Sequence, residues 1–243
     1  MNTKNILATG IASVAMAFSA QATNYVGNGN SGFGGPIGQG SLTLTDDGTT
    51  LSGTVNKGPN SFNDVLVIYI DSTAGGFADT SGFADSADGL RKSISGFDGG
   101  ANRSVMTFAV GFAPDFALAL GPQSDNFGGL WSLANGGANS LGFVSTANLT
   151  PTGTPSAATY TFSISLASLG LTPGQSFKLF GTYTSNSGFR STEAIAGNDT
   201  GAQGWNPFTQ TAFGIYTTTP VPEPTTLVLA ASGLAMLLIR RRR

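Results

Sequence analysis

The 243-residue chain contains no cysteine and no histidine. Without cysteine, no disulfide can staple the fold and no thiolate can serve as a nucleophile. Without histidine, Ser-His-Asp triads and His/Cys zinc sites are excluded as well. Stability must therefore come from a hydrophobic core, with a bound ion as the remaining aid. Charge is also scarce, at 10% of residues. Between Thr23 and Pro220, six basic residues (Lys57, Arg91, Lys92, Arg103, Lys178 and Arg190) stand against eleven aspartates and Glu193, a net charge of −6. Such a domain gains nothing from the electrostatics that drive phosphate-backbone binding, so nucleic acid is not an expected partner.

Long apolar runs occur at the two ends. Lys4 precedes the run from Ile6 to Phe18, and Ala20-Gln21-Ala22 follows with a small-x-small pattern. This order predicts a secretory signal peptide over residues 1–22. At the other end, Val221-Pro222-Glu223-Pro224 is followed by an apolar run from Thr225 to Ile239 and then by Arg240, Arg241, Arg242 and Arg243. A helix of this length rises about 22 Å, short of a hydrocarbon core of roughly 30 Å, so arginine stems must reach out to the headgroups. The basic cluster places the end of the chain on the cytoplasmic side and everything before Pro222 outside.

These last residues resemble the PEP-CTERM sorting signal. The resemblance implies an exosortase as processing partner. It also implies a bacterial protein anchored by its C-terminal membrane helix (225–239) and then delivered to the cell surface or extracellular matrix. Prolines suit a recognition element because they keep the backbone extended for a cleft. A plain tail anchor is the alternative, and it has no use for Pro-Glu-Pro.

Between the signals, short apolar patterns with period two dominate. Ser41 to Val55 reads as a hairpin turned at Asp46-Asp47-Gly48. Val65 to Ile70 is a continuous apolar run, as expected for a strand buried on both faces. Met106 to Phe112, Phe116 to Leu120, Gly129 to Leu133, Leu141 to Val144, Tyr160 to Leu166, Phe177 to Tyr183 and Thr211 to Thr217 add further candidates. About ten short strands and no long helix predict an all-β, antiparallel, jelly-roll-like β-sandwich over 23–216, with a linker at 217–220. Gly27 to Gly32 formally matches GxGxxG but has neither the buried strand nor the helix a dinucleotide site needs, and Asn24 to Gly40 reads as a flexible or edge segment. Val67 to Ser72, Gly111 to Leu118 and Ile164 to Leu171 are similar to the strand and turn pattern of family 9 carbohydrate-binding-module-like and DOMON-like sandwiches. That resemblance implies two packed sheets and allows sugar binding.

Three sets of residues are candidates for chemistry. Asp71, Asp79, Asp85, Asp88 and Asp98 crowd one Gly/Ser-rich stretch, where hard oxygen ligands on flexible backbone suit Ca²⁺; the alternative is a loop whose aspartates make turns. Trp205, in a polar loop beside Phe208, is a candidate for stacking on a sugar ring or for plugging the end of the sandwich, whereas Trp131 is expected in the core. Glu193 paired with Asp115 or Asp199 would supply the two carboxylates of a glycosidase. The expectation is a surface-sorted, non-enzymatic matrix or envelope protein that binds polysaccharide. A glycan-processing enzyme and a purely structural protein without ligand are the alternatives.

Overall fold

The computed structural model describes residues 22–220, so the expected signal peptide (but for Ala22) and the whole sorting tail, with Val221 to Pro224, the membrane helix and the arginine cluster, lie outside the described residues. Among the described residues no helix is long and apolar enough to cross a membrane. The smaller of two sheets holds β1 (Thr23–Val26), β2 (Ser41–Asp46), β3 (Thr50–Asn56) and β9 (Thr159–Ser165), in the order β1-β2-β3-β9. The larger runs β12 (Gly197–Thr200), β13 (Pro207–Thr217), β10 (Ser176–Thr184), β4 (Val65–Asp71), β6 (Phe116–Gly121), β7 (Phe127–Ser132) and β8 (Gly142–Thr146). Strand β11 (Arg190–Ile195) pairs with the second half of β10, and β5 (Val105–Thr107) runs parallel to the start of β13. The other strand pairs are antiparallel.

The chain stays within one sheet for several strands before crossing. It makes β1 to β3 in the small sheet and β4 to β8 in the large one, returns for β9 beside β3, and re-enters at β10 beside β4. A jelly roll would pass repeatedly from sheet to sheet, so that part of the expectation is corrected. The reason is local: tight connections such as 47–49 and 122–126 leave antiparallel neighbours no choice but to share a sheet.

β4 is the centre of the molecule, with Val65 to Ile70 buried throughout. Alternation sends Leu66, Ile68 and Ile70 toward the small sheet, where they meet Leu42, Leu44, Val55, Tyr160 and Phe162. Val65, Val67 and Tyr69 face the other way, into a second core with Trp131, Phe180, Met106, Phe108 and Phe112. This second face is covered by the segment after β4, including a short helix, α1 (Gly89–Ser95), whose Leu90 and Ile94 point inward. Asp88 caps α1 by accepting from the Arg91 amide at 2.8 Å, and Gly96 ends it at φ 65°. A side chain at Gly96 would also put its Cβ 2.1 Å from the Ser104 carbonyl oxygen. The Tyr69 hydroxyl donates to the Ile94 carbonyl at 2.6 Å and so bolts the end of the helix to the central strand.

Two segments expected to be loose are held. The lead from Gly27 to Gly40 wraps around the buried carboxylate of Glu193. Its Oε1 accepts from the amides of Phe33 (2.6 Å) and Gly35 (3.2 Å), and its Oε2 from those of Ile37 (2.9 Å) and Gly38 (3.0 Å). The expected linker begins inside β13, and Thr218 and Thr219 are docked. The Thr219 amide donates to both Asp46 carboxylate oxygens at 3.0 Å, and the Tyr216 hydroxyl donates to Asp46 Oδ2 at 2.7 Å. Removing the Glu193 carboxylate strands several amide donors at once, and each such group costs about 1–3 kcal/mol when buried. Glu193→Ala should therefore lower unfolding free energy by at least about 3 kcal/mol in urea titration. A loss below about 1 kcal/mol would mean that the lead is not held this way.

Candidate functional site

The five aspartates of the expected calcium loop do not converge. Asp71 pairs with Lys178 Nζ at 3.1 Å and accepts from the Ala113 amide. Asp79 accepts from the Ser81 amide two residues on, and Asp98 closes its own turn with the amides of Gly100 and Asn102. Asp85 is fully buried, accepting from the Leu141 amide at 2.9 Å and lying 3.2 Å from Arg91 Nε. Asp88 is consumed in capping α1 and in its ion pair with Arg91. Among the described residues no group of three or more acidic side chains is placed to hold a metal ion. Turn-making, capping and ion pairing account for all five, and the structure does not bring them together.

The carboxylates considered for catalysis are likewise apart in role. Glu193 is spent on the lead segment, and Asp115 accepts from the amides of Ser72 and Thr73. Asp199 lies opposite Gln210 in the β12–β13 pair, within the field of the fully buried Arg190. Arg190 donates from Nη1 to Thr182 Oγ1 at 3.2 Å and sits 5.8 Å from the Phe208 ring centre. Its Nε and Nη2, Asp199 Oδ2 and Gln210 Nε2 are buried without a hydrogen-bond partner.

Burial pushes the Asp199 carboxyl up to about 6, against the pull of the Arg190 charge. The native state thus binds a proton at pH values where the unfolded chain, with its carboxyl near 4, has released it. The contribution of this group to stability is full below about pH 4 and is lost as pH rises through about 6, a difference of roughly 3 kcal/mol. Asp199→Asn should flatten that part of the stability profile and raise stability at pH 8. A profile with the same slope in both proteins would show that Asp199 titrates normally.

Trp205 lies in the connection from β12 to β13, half-buried. It meets Phe189 edge-on at 5.7 Å, and Phe189 stacks on Phe33 at 6.0 Å with planes 19° apart. The three half-buried rings form an aromatic row. Trp131, in contrast, is 2% exposed and belongs to the second core, as expected.

A cleft of about 340 Å³ opens where α1 meets β7 and β8, lined by Asp88, Leu90, Arg91, Asp125, Phe127, Trp131 and Phe143. Its residues come from separate elements, so no spacing in the sequence joins them. The only local signal is Phe143, a large ring on a short, weakly patterned strand, and it is 51% exposed. Burial lifts the Asp125 carboxyl above its ordinary value, and the nearby charge of Asp88 adds to the shift.

The family model for the PEP-CTERM protein-sorting motif matches residues 220–243. Comparison with curated proteins and with solved structures gives no match. The chain thus carries a PEP-CTERM protein-sorting motif, which implies export, sorting to the surface and an exosortase as the processing partner.

Proposed function

We propose that this is a non-enzymatic protein of the extracellular matrix or envelope, held in the membrane by its C-terminal helix until processing, whose sandwich domain binds extracellular polysaccharide. The observation that carries the location is the sorting motif at 220–243. What supports binding is the row of Trp205, Phe189 and Phe33, because half-exposed aromatic rings offer the flat apolar faces on which sugar rings stack. The glycan-processing alternative draws less support: Glu193 and Asp115 are already engaged as acceptors of backbone amides that hold neighbouring segments in place.

Two tests address the two halves of this reading. Replacing Pro222 and Pro224 with alanine should leave the protein exported but uncleaved in the membrane fraction, whereas processing identical to the parent would return the tail to a plain anchor. For binding, the purified protein should be retained on the extracellular polysaccharide of its own source, with Trp205→Ala weakening retention and leaving the melting temperature nearly unchanged. Free passage of the parent protein through that matrix would favour a purely structural role.

A further inference from the structure

We infer that the cleft between α1, β7 and β8 is a seat for a neutral pyranose unit of an oligosaccharide, with Phe143 as stacking platform and Asp125 as hydroxyl acceptor. The inference rests on the polysaccharide-binding reading but puts the principal contact away from Trp205. Its volume of about 340 Å³ falls within the range of small-ligand clefts.

The construction of the cleft points to a ligand. Phe143 stands on β8 half-exposed, meets Trp131 edge-on at 5.6 Å and lies 6.3 Å from Phe127, so the ring is held but not covered. Asp125 is lodged between two glycines. A Cβ on Gly89 would lie 2.6 Å from Asp125 Oδ1, and one on Gly121 would lie 3.0 Å from Oδ2. Ser124 Oγ donates to Oδ2 at 2.6 Å and fixes the carboxylate plane. The indole Nε1 of Trp131 is buried and has no hydrogen-bond partner, an uncommon state for a buried N–H donor.

Charge and donor chemistry then narrow the ligand class. Arg91 is matched against Asp85 at 3.2 Å and Asp88 at 2.5 Å, and Asp125 adds a third carboxylate, leaving the site net negative. An anionic sugar would be repelled. The Trp131 ring already has the Arg91 guanidinium at 5.8 Å, so that ring face is taken and is not open to a second cation. Hydroxyls both donate and accept, and this cleft is lined by carboxylate acceptors beside the Arg91 guanidinium donor. A neutral polyhydroxylated ring satisfies both kinds of group and gives Phe143 its apolar face.

The test uses the exported protein with Trp205→Phe, so that Trp131 is the sole tryptophan reporter. It is titrated with gluco-, manno- and xylo-hexasaccharides and with an acidic guluronate hexasaccharide. At least one neutral sugar should change the Trp131 emission, and the acidic one should bind about tenfold more weakly or not at all. Phe143→Ala and Asp125→Asn, each checked for an unchanged melting temperature, should raise Kd about tenfold or more. Binding that survives both variants, measured by calorimetry, but is lost in Trp205→Ala would overturn the cleft and leave the polysaccharide reading standing. Tighter binding of the acidic sugar would overturn the ligand class. Silence of both the parent protein and Trp205→Phe toward all three neutral sugars in calorimetry would overturn the inference, whereas the polysaccharide reading is decided separately by retention of the parent protein on its own matrix.

Discussion

The structure depends on one constraint: its central strand is apolar on both faces. Val65 to Ile70 cannot lie at the surface of a two-layer sandwich, because only one face of each sheet would be dry. The small sheet covers one side, packing Leu42, Val55 and Tyr160 onto Leu66 and Ile68. The other side needs a cover of its own, and the chain builds it from the Gly-, Ser- and Asp-rich stretch that follows β4. Few residues of that stretch are large, but Phe83, Leu90, Ile94, Met106, Phe108 and Phe112 are enough to close the face over Val67 and Tyr69. The helix that this cover includes is also what forms one wall of the cleft beside Trp131.

A chain without disulfides must fasten its irregular segments by other means, and here carboxylates do so. Glu193 gathers the lead from Phe33 to Gly38, Asp46 holds Thr219, Asp115 holds Ser72 and Thr73, and Asp85 holds Leu141. Each gives backbone N–H groups a charged acceptor, and around Glu193 and Asp85 those groups are buried and would otherwise be stranded. The scarcity of charge in the composition fits this use, since several of the acidic groups serve as internal clasps rather than solvated surface. The Asp46 clasp also has a consequence for sorting: the folded domain extends to Thr219, so the sorting motif begins directly at its edge.

What was legible in the sequence was whatever obeyed a period. β9 alternates between buried and exposed without a break, β2 and β3 meet at the expected turn, and β4 is apolar throughout as its two-sided burial requires. β11 was not legible, because Arg190-Ser191-Thr192-Glu193 looks like a solvated loop; its charges are buried, Glu193 under backbone amides and Arg190 beside Thr182 and the Phe208 ring, which no hydropathy pattern reveals. α1 was too short to show a helical stripe. The stretch from Met106 to Phe112 alternates like a strand, yet only Val105 to Thr107 is one, and Val110 is fully exposed in the loop that turns Phe112 back onto the core. The five aspartates illustrate the same limit from the other side: crowding in sequence implied a shared ligand, and the fold sends each to a different local task. The cleft was illegible because Arg91, Asp125 and Phe143 become neighbours only when α1 packs against β6 and β4.

The cover over the second face belongs to the folding unit rather than lying on it as a mobile flap. Native-state hydrogen exchange at the amides of Val67 and Tyr69 tests this most directly, compared with the free energy of global unfolding from denaturant titration. Both amides should exchange only through global unfolding, with the same free energy as the whole domain. Exchange through a local opening several kcal/mol below the global value, shared with the amides of α1, would contradict it.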